Sequence, residues 1–120
     1  LPLFAGEEKF IKELRATLKR ILSKDAVAAT VYGSRVRGDD SYSSDMDIIL
    51  VADRTNKERL TEKILDLGQE VFRVFGMRLS PIIKTRAELR VLSKRSSPLL
   101  SNILEEGVDI LETRLRDLLR

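Results

Sequence analysis

Two short apolar runs, residues 27–32 and 48–51, stand on either side of a segment made almost entirely of Gly, Ser, Asp and Arg. Neither run alternates with polar residues. The first reads as a buried strand, and the second as the apolar part of a strand running from about Asp45 to Val51, rather than surface strands with one wet face. Strands of this kind need cover, and the rest of the chain supplies it as helices. Residues 7–22 place Phe10, Ile11, Leu14, Leu18, Ile21 and Leu22 on one stripe at helical spacing, with Lys12, Arg15 and Lys19 on another, solvated face. Thr55-x-x-Glu58 has the form of a capping box. It opens a helix carrying Leu60, Ile64, Leu67, Val71, Val74 and Phe75, closed by Gly76, and Phe72 and Phe75 are expected in the core.

A third strand is predicted over residues 77–84, where Pro81 points to an edge or a bulge. A second capping box, Thr85-x-x-Glu88, opens a short helix to about Leu92. Ser97 then caps a helix with Pro98 at its first position, carrying Leu99, Leu100, Ile103 and Leu104 and stopping at Gly107. Residues 108–111 read as a fourth strand, and Leu111, Leu115, Leu118 and Leu119 as a last helix overlapping its end. The order α-β-β-α-β-α-α-β-α predicts an α/β (α+β) architecture, a mixed β-sheet covered by helices.

Composition narrows the chemistry. The 120 residues contain no Cys and no His. Serine or cysteine catalysis with a histidine partner is excluded, as is a histidine base. A zinc site would need carboxylates alone, which is rare for that metal. What remains is carboxylates, hydroxyls, Lys, Arg, backbone groups and hard cations. The formal charge of +3 does not announce nucleic acid. No apolar run approaches the roughly 20 residues that span a bilayer, so no membrane is expected. The lack of cysteine agrees with a reducing, cytoplasmic setting.

The segment 33–47, GSRVRGDDSYSSDMD, carries the chemistry. Residues two apart on a strand face the same way, so Asp45 and Asp47 aim their carboxylates at one point. Their repulsion favours a cation between them, and Mg²⁺ takes carboxylates together with substrate phosphates. Gly33 lets its backbone approach a phosphate closely, Ser34 adds a hydroxyl and amide donors, and Arg35 and Arg37 can fork onto phosphate oxygens. Asp39 and Asp40 read as plain loop acids. Tyr32 and Tyr42 could stack on a base, although core and loop roles suit them better. There is no G-x-x-x-x-G-K-[ST], no G-x-G-x-x-G and no G-x-S-x-G elbow.

Gly33-Ser34, ten residues, then Asp45-x-Asp47 resembles the signature of the polymerase-beta-like nucleotidyltransferases. The fuller strings GSRVRG and SDMDIILV are similar to the minimal nucleotidyltransferase subfamily, which usually reads GSRARG where this chain has Val36. SPLLSNILEEGVDIL also resembles the C-terminal part of such domains. The resemblance implies the nucleotidyltransferase fold, with residues 1–120 as a single domain. That domain starts at Leu1 rather than Met and ends inside a helical pattern, so the native protein is expected to extend beyond one or both ends.

The resemblance further implies Asp45 and Asp47 as catalytic, metal-binding residues for Mg²⁺ or Mn²⁺, with two metals the rule. It places Gly33, Ser34, Arg35 and Arg37 on an NTP, with ATP favoured. A nucleoside monophosphate would pass to a hydroxyl acceptor by in-line attack. Related domains pair with a helical HEPN-type protein partner, and some act as antitoxins by adenylylating it. A homo-oligomer is a further expectation, and nucleic acid a further candidate partner.

The family also uses a third carboxylate on a later strand. The matching stretch here, MRLSPIIK, has none, and Ser80 or Arg78 takes its place. Glu70, Glu88 or Asp40 would have to move in, or a partner supply the group. The alternative reading is therefore a catalytically weak nucleotide-binding or antitoxin-like module.

Overall fold

The computed structural model describes residues 5–22, 24–33 and 45–120. Helix α1 (Ala5–Leu22) leads into strand β1 (Ala28–Tyr32), followed by β2 (Asp45–Ala52), α2 (Lys57–Phe75), β3 (Arg78–Thr85), α3 (Arg86–Lys94), α4 (Pro98–Glu106) and the short β4 (Val108–Asp109). The element order is the one predicted, except that the last helix is a 3-10 turn, Leu115–Leu119. The four strands form one mixed sheet in the order β3-β2-β1-β4. β1 is antiparallel to both β2 and β4, and β2 is parallel to β3. The crossover that parallel strands require is α2.

Each face of the sheet has its own core. On one, Ile11, Leu14, Leu18 and Leu22 of α1 and Leu60, Leu67 and Val71 of α2 pack on Ala29, Val31, Met46, Ile48 and Leu50. On the other, Leu89, Leu100, Ile103, Leu115 and Leu118 cover Ala28, Ile49 and Val51. The strand β2 lies inside both layers and is buried from Ile48 to its end. Each such aliphatic side chain contributes about 1.5–3 kcal/mol on burial.

Several polar contacts lock the layers together. Thr30 Oγ1 and the Leu115 amide both donate to Asp109 Oδ1 at 3.0 Å, tying the 3-10 turn to the sheet. Arg15 is exposed, as expected of the solvated face of α1, and from there it donates from Nε and Nη2 to the Asp109 carbonyl at 3.2 and 3.1 Å. Asp25 is buried just before β1 and meets Lys63 and Arg59 of α2. The hydrogen bond and charge from Lys63 hold its carboxyl below the ordinary value.

Some local expectations fail for identifiable reasons. At the start of α2 the cap is Asn56, in a helical conformation with no side-chain bond, so the Thr55-x-x-Glu58 box does not form. The Thr85–Glu88 box does form, because Thr85 leaves β3 in an extended conformation that presents its hydroxyl to the Glu88 amide. Gly76 closes α2 in the left-handed conformation, as expected. Phe72 is not in the core: it is 56% exposed and Val74 is also exposed, while Phe75 turns inward to meet Phe10 edge-on at 5.5 Å. A helix on a sheet buries only one stripe, and Phe72 falls outside the stripe of Leu60, Leu67 and Val71.

Candidate functional site

The site lies where β1 ends and β2 and β3 begin. In the antiparallel ladder Tyr32 stands opposite Asp47, so Gly33 follows at the lip of the sheet. Gly33 has φ +109°, a conformation that L side chains rarely adopt. A Cβ built on it would lie 3.1 Å from Asp47 Oδ2. The glycine is therefore needed twice, for its backbone angle and for the room it leaves beside a carboxylate.

Asp45 and Asp47 share the face of β2 that continues as Ile49 and Val51 beneath α3 and α4. Asp45 is exposed and Asp47 half-buried. Burial, and then the charge of Asp45, push the Asp47 carboxyl above its ordinary value. Burial and the negative charge of Asp47 likewise raise the Tyr32 phenol. Both shifts come first from partial burial and then from a neighbouring carboxylate, a combination that a bound cation would relieve.

The parallel ladder from β3 sets Arg78 against Asp45 and Ser80 against Asp47. The strand expected to carry a third acid thus enters the site with a guanidinium and a hydroxyl. Among the described residues no group of three or more His, Cys, Asp or Glu is placed to hold a metal. Two of the acids considered as substitutes are committed elsewhere. Glu88 accepts from the Thr85 amide and Lys57 at 2.9 Å each, at the far end of β3. Glu70 on α2 accepts from Arg73 at 2.6 Å and Arg20 at 3.3 Å. Asp40 lies outside the described residues, as do Ser34, Arg35, Arg37, Asp39 and Tyr42.

Of the sequence-predicted site residues that are described, Gly33, Asp45 and Asp47 come together, and Tyr32 stands beside them. Arg78 and Ser80 enter through the β2–β3 register. Their only signal in the sequence was their position on the strand after α2.

The donor set suits a hard divalent cation: two aspartates on one strand face, one of them held at raised proton affinity, beside a backbone with no side chain in the way. Asp45 and Asp47 are the residues that would hold it.

The family model described as "Polymerase beta, Nucleotidyltransferase" matches residues 13–115. No curated protein matches the chain significantly. Solved structures that share its fold include two toxin–antitoxin proteins. One is a crystal structure of a toxin–antitoxin with AMP-PNP, 19% identical, covering 92% of this chain and 77% of that one with a TM-score of 0.51. The other is a mutant of the toxin–antitoxin MntA-HpeT, 17% identical over the same shares, with a TM-score of 0.52. Among the described residues no helix is long and apolar enough to cross a membrane.

Proposed function

Because the chain belongs to the polymerase beta nucleotidyltransferase family, we propose that it moves a nucleoside monophosphate from an NTP to a hydroxyl acceptor, using the sheet end at Asp45 and Asp47. The observation that supports this reading is the closeness of Gly33 to Asp47, whose Oδ2 lies 3.1 Å from where a Cβ on the glycine would stand, so that both halves of the motif meet at one corner. Mg²⁺ or Mn²⁺ bound there supplies charge neutralisation for a triphosphate and its leaving group.

The chain's own groups then have separate tasks. Asp45 and Asp47 fix the position of the cation. The glycine turn at Gly33, with Ser34, Arg35 and Arg37 following it in sequence, receives the phosphate tail. An acceptor oxygen attacks the α-phosphorus as the bond to the β-phosphate oxygen breaks in line. Pyrophosphate leaves with the bonding pair, and the hydroxyl proton passes to solvent or a nearby base.

ATP is the favoured donor, in keeping with the AMP-PNP named with one structure of similar fold. The acceptor class favoured is a hydroxyl on a protein partner, HEPN-type by the resemblance in sequence, since both structures of similar fold are toxin–antitoxin proteins. A second reading, a nucleotide-binding module with little or no transfer, is supported by Ser80 standing opposite Asp47 where an acid would otherwise help activate the acceptor.

The test is binding of labelled ATP with Mg²⁺ or Mn²⁺ to the wild type and to the Asp45→Asn/Asp47→Asn double variant, with melting as the control for folding. Metal-dependent binding is expected to vanish in a variant that still folds. Unchanged affinity would refute the site. Transfer of label to a co-purified protein, against binding without transfer, separates the two readings.

A further inference from the structure

The register of β2 and β3 places a cation at the acid pair. Arg78 stands opposite Asp45, and Ser80 opposite Asp47. The phase of β3 is fixed by its apolar residues. Ile82, opposite Ile49, packs into the core beneath α3 and α4, whereas Leu79 and Ile83, opposite Met46 and Leu50, pack into the core beneath α1 and α2. Alternation then puts Arg78 and Ser80 on the same face as the two aspartates. Neighbouring strands lie about 4.8 Å apart, well within the reach of an arginine. Arg78 is exposed, and no described residue holds it in an ion pair.

Among the described residues at that corner, one guanidinium stands on the same face as the two carboxylates. A divalent cation held by the carboxylates and the guanidinium beside it would both face a triphosphate. No third acid among the described residues is placed to seat a second ion. The planar fork of arginine matches a pair of phosphate oxygens in a way a lysine cannot.

Resting on the nucleotidyltransferase reading given above, we infer that Arg78 binds phosphate oxygens of the nucleotide beside an acid pair that seats one divalent cation.

The experiment titrates a non-hydrolysable ATP analogue in the presence of Mn²⁺ by calorimetry. It also titrates Mn²⁺ alone, and with the analogue, by electron paramagnetic resonance. The proteins are the wild type, Arg78→Ala, Arg78→Lys and Arg90→Ala, the last removing an equal charge from a cavity at the opposite end of the sheet. Loss of a charge-assisted fork should weaken the analogue by roughly tenfold or more in Arg78→Ala, with partial recovery in Arg78→Lys and none of this effect in Arg90→Ala. Mn²⁺ alone should bind Arg78→Ala at least as tightly as the wild type, because a neighbouring positive charge has gone. One Mn²⁺ per chain is expected with the analogue.

Arg78 is exposed at the strand end, so the variants should melt with the wild type. Undiminished analogue affinity in Arg78→Ala, or two Mn²⁺ per wild-type chain, overturns the inference while leaving the acid-pair reading standing. A wild type that binds no analogue overturns both.

Discussion

Replacing Gly33 by alanine should damage the site more than the fold, and a second glycine provides the yardstick. Gly76 closes α2 at φ +68° and a Cβ there meets nothing within 4 Å, so Gly76→Ala isolates backbone strain. That strain costs about 1 kcal/mol in the left-handed region. Gly33 sits at φ +109°, where the cost for a residue with a side chain rises to about 1–3 kcal/mol, and its new Cβ would also press on Asp47 Oδ2 at 3.1 Å. The carboxylate must give by a few tenths of an ångström, which moves the residue proposed to hold the cation. Unfolding entropy for 120 residues is about 0.25 kcal/mol per degree, so Gly76→Ala should lower Tm by about 4 °C and Gly33→Ala by about 8 °C. Thermal melts check these values, and Mn²⁺ titration checks the site. Gly33→Ala should weaken Mn²⁺ binding while Gly76→Ala leaves it unchanged. If Gly33→Ala melts like Gly76→Ala and binds Mn²⁺ like the wild type, the room that Gly33 leaves beside Asp47 has no part in shaping the site.

Thr85→Ala should cost about 1 kcal/mol through loss of the α3 cap, whereas Thr55→Ala should stay within about 0.5 kcal/mol of the wild type because its side chain caps nothing; urea unfolding distinguishes them. Glu88 is held down to about 2 by the Thr85 amide and then by Lys57. A carboxyl with a lowered folded value contributes stability that is present above its unfolded value near 4.5 and is lost as pH falls toward 2. Melts across that window should therefore show a steeper loss for the wild type than for Glu88→Gln. Gly107→Ala should destabilise by about 1–3 kcal/mol or more, since its Cβ would lie 2.5 Å from the Ile103 carbonyl oxygen and 2.6 Å from Thr30 Cγ2; a denaturant midpoint matching the wild type would show that α4 can shift away from β1.

Local pattern sufficed wherever one element settled the question. The period of a strand put Asp45 and Asp47 on one face, and the unbroken apolar run after them marked β2 as the strand covered on both sides. Pro81 pointed to an edge or a bulge in β3, and the strand lies at the edge of the sheet. What stayed hidden depended on the partner of an element. Thr55-x-x-Glu58 and Thr85-x-x-Glu88 are the same signature, yet only the residue leaving a strand in extended conformation becomes a cap. Phe72 sits at helical spacing from Phe75, but the stripe that α2 buries is set by where α1 and the sheet lie. The closeness of Gly33 to Asp47 and the place of Arg78 opposite Asp45 both come from strand register. No single segment of the sequence encodes register, because each strand can slide along its neighbour until the packing of both faces is fixed.

That packing also explains why the acids can stand where they do. Successive same-face residues on a strand are about 6.6 Å apart. At that separation two carboxylates repel by about 0.6 kcal/mol in water and about 2.5 kcal/mol at the effective dielectric of a protein surface. The repulsion is concentrated at the first residues of β2, where the strand could fray. Immediately beyond, Ile48, Ile49, Leu50 and Val51 are all fully buried. At about 1.5–3 kcal/mol each, they anchor the strand with roughly 6–12 kcal/mol. Burial wins by a wide margin, and because it alternates between two cores it resists sliding as well as fraying. The strand's charged end is therefore held in place by the burial of the residues that follow it. A cation arriving at Asp45 and Asp47 meets oxygens already positioned, and its binding need not supply the ordering of the backbone that carries them.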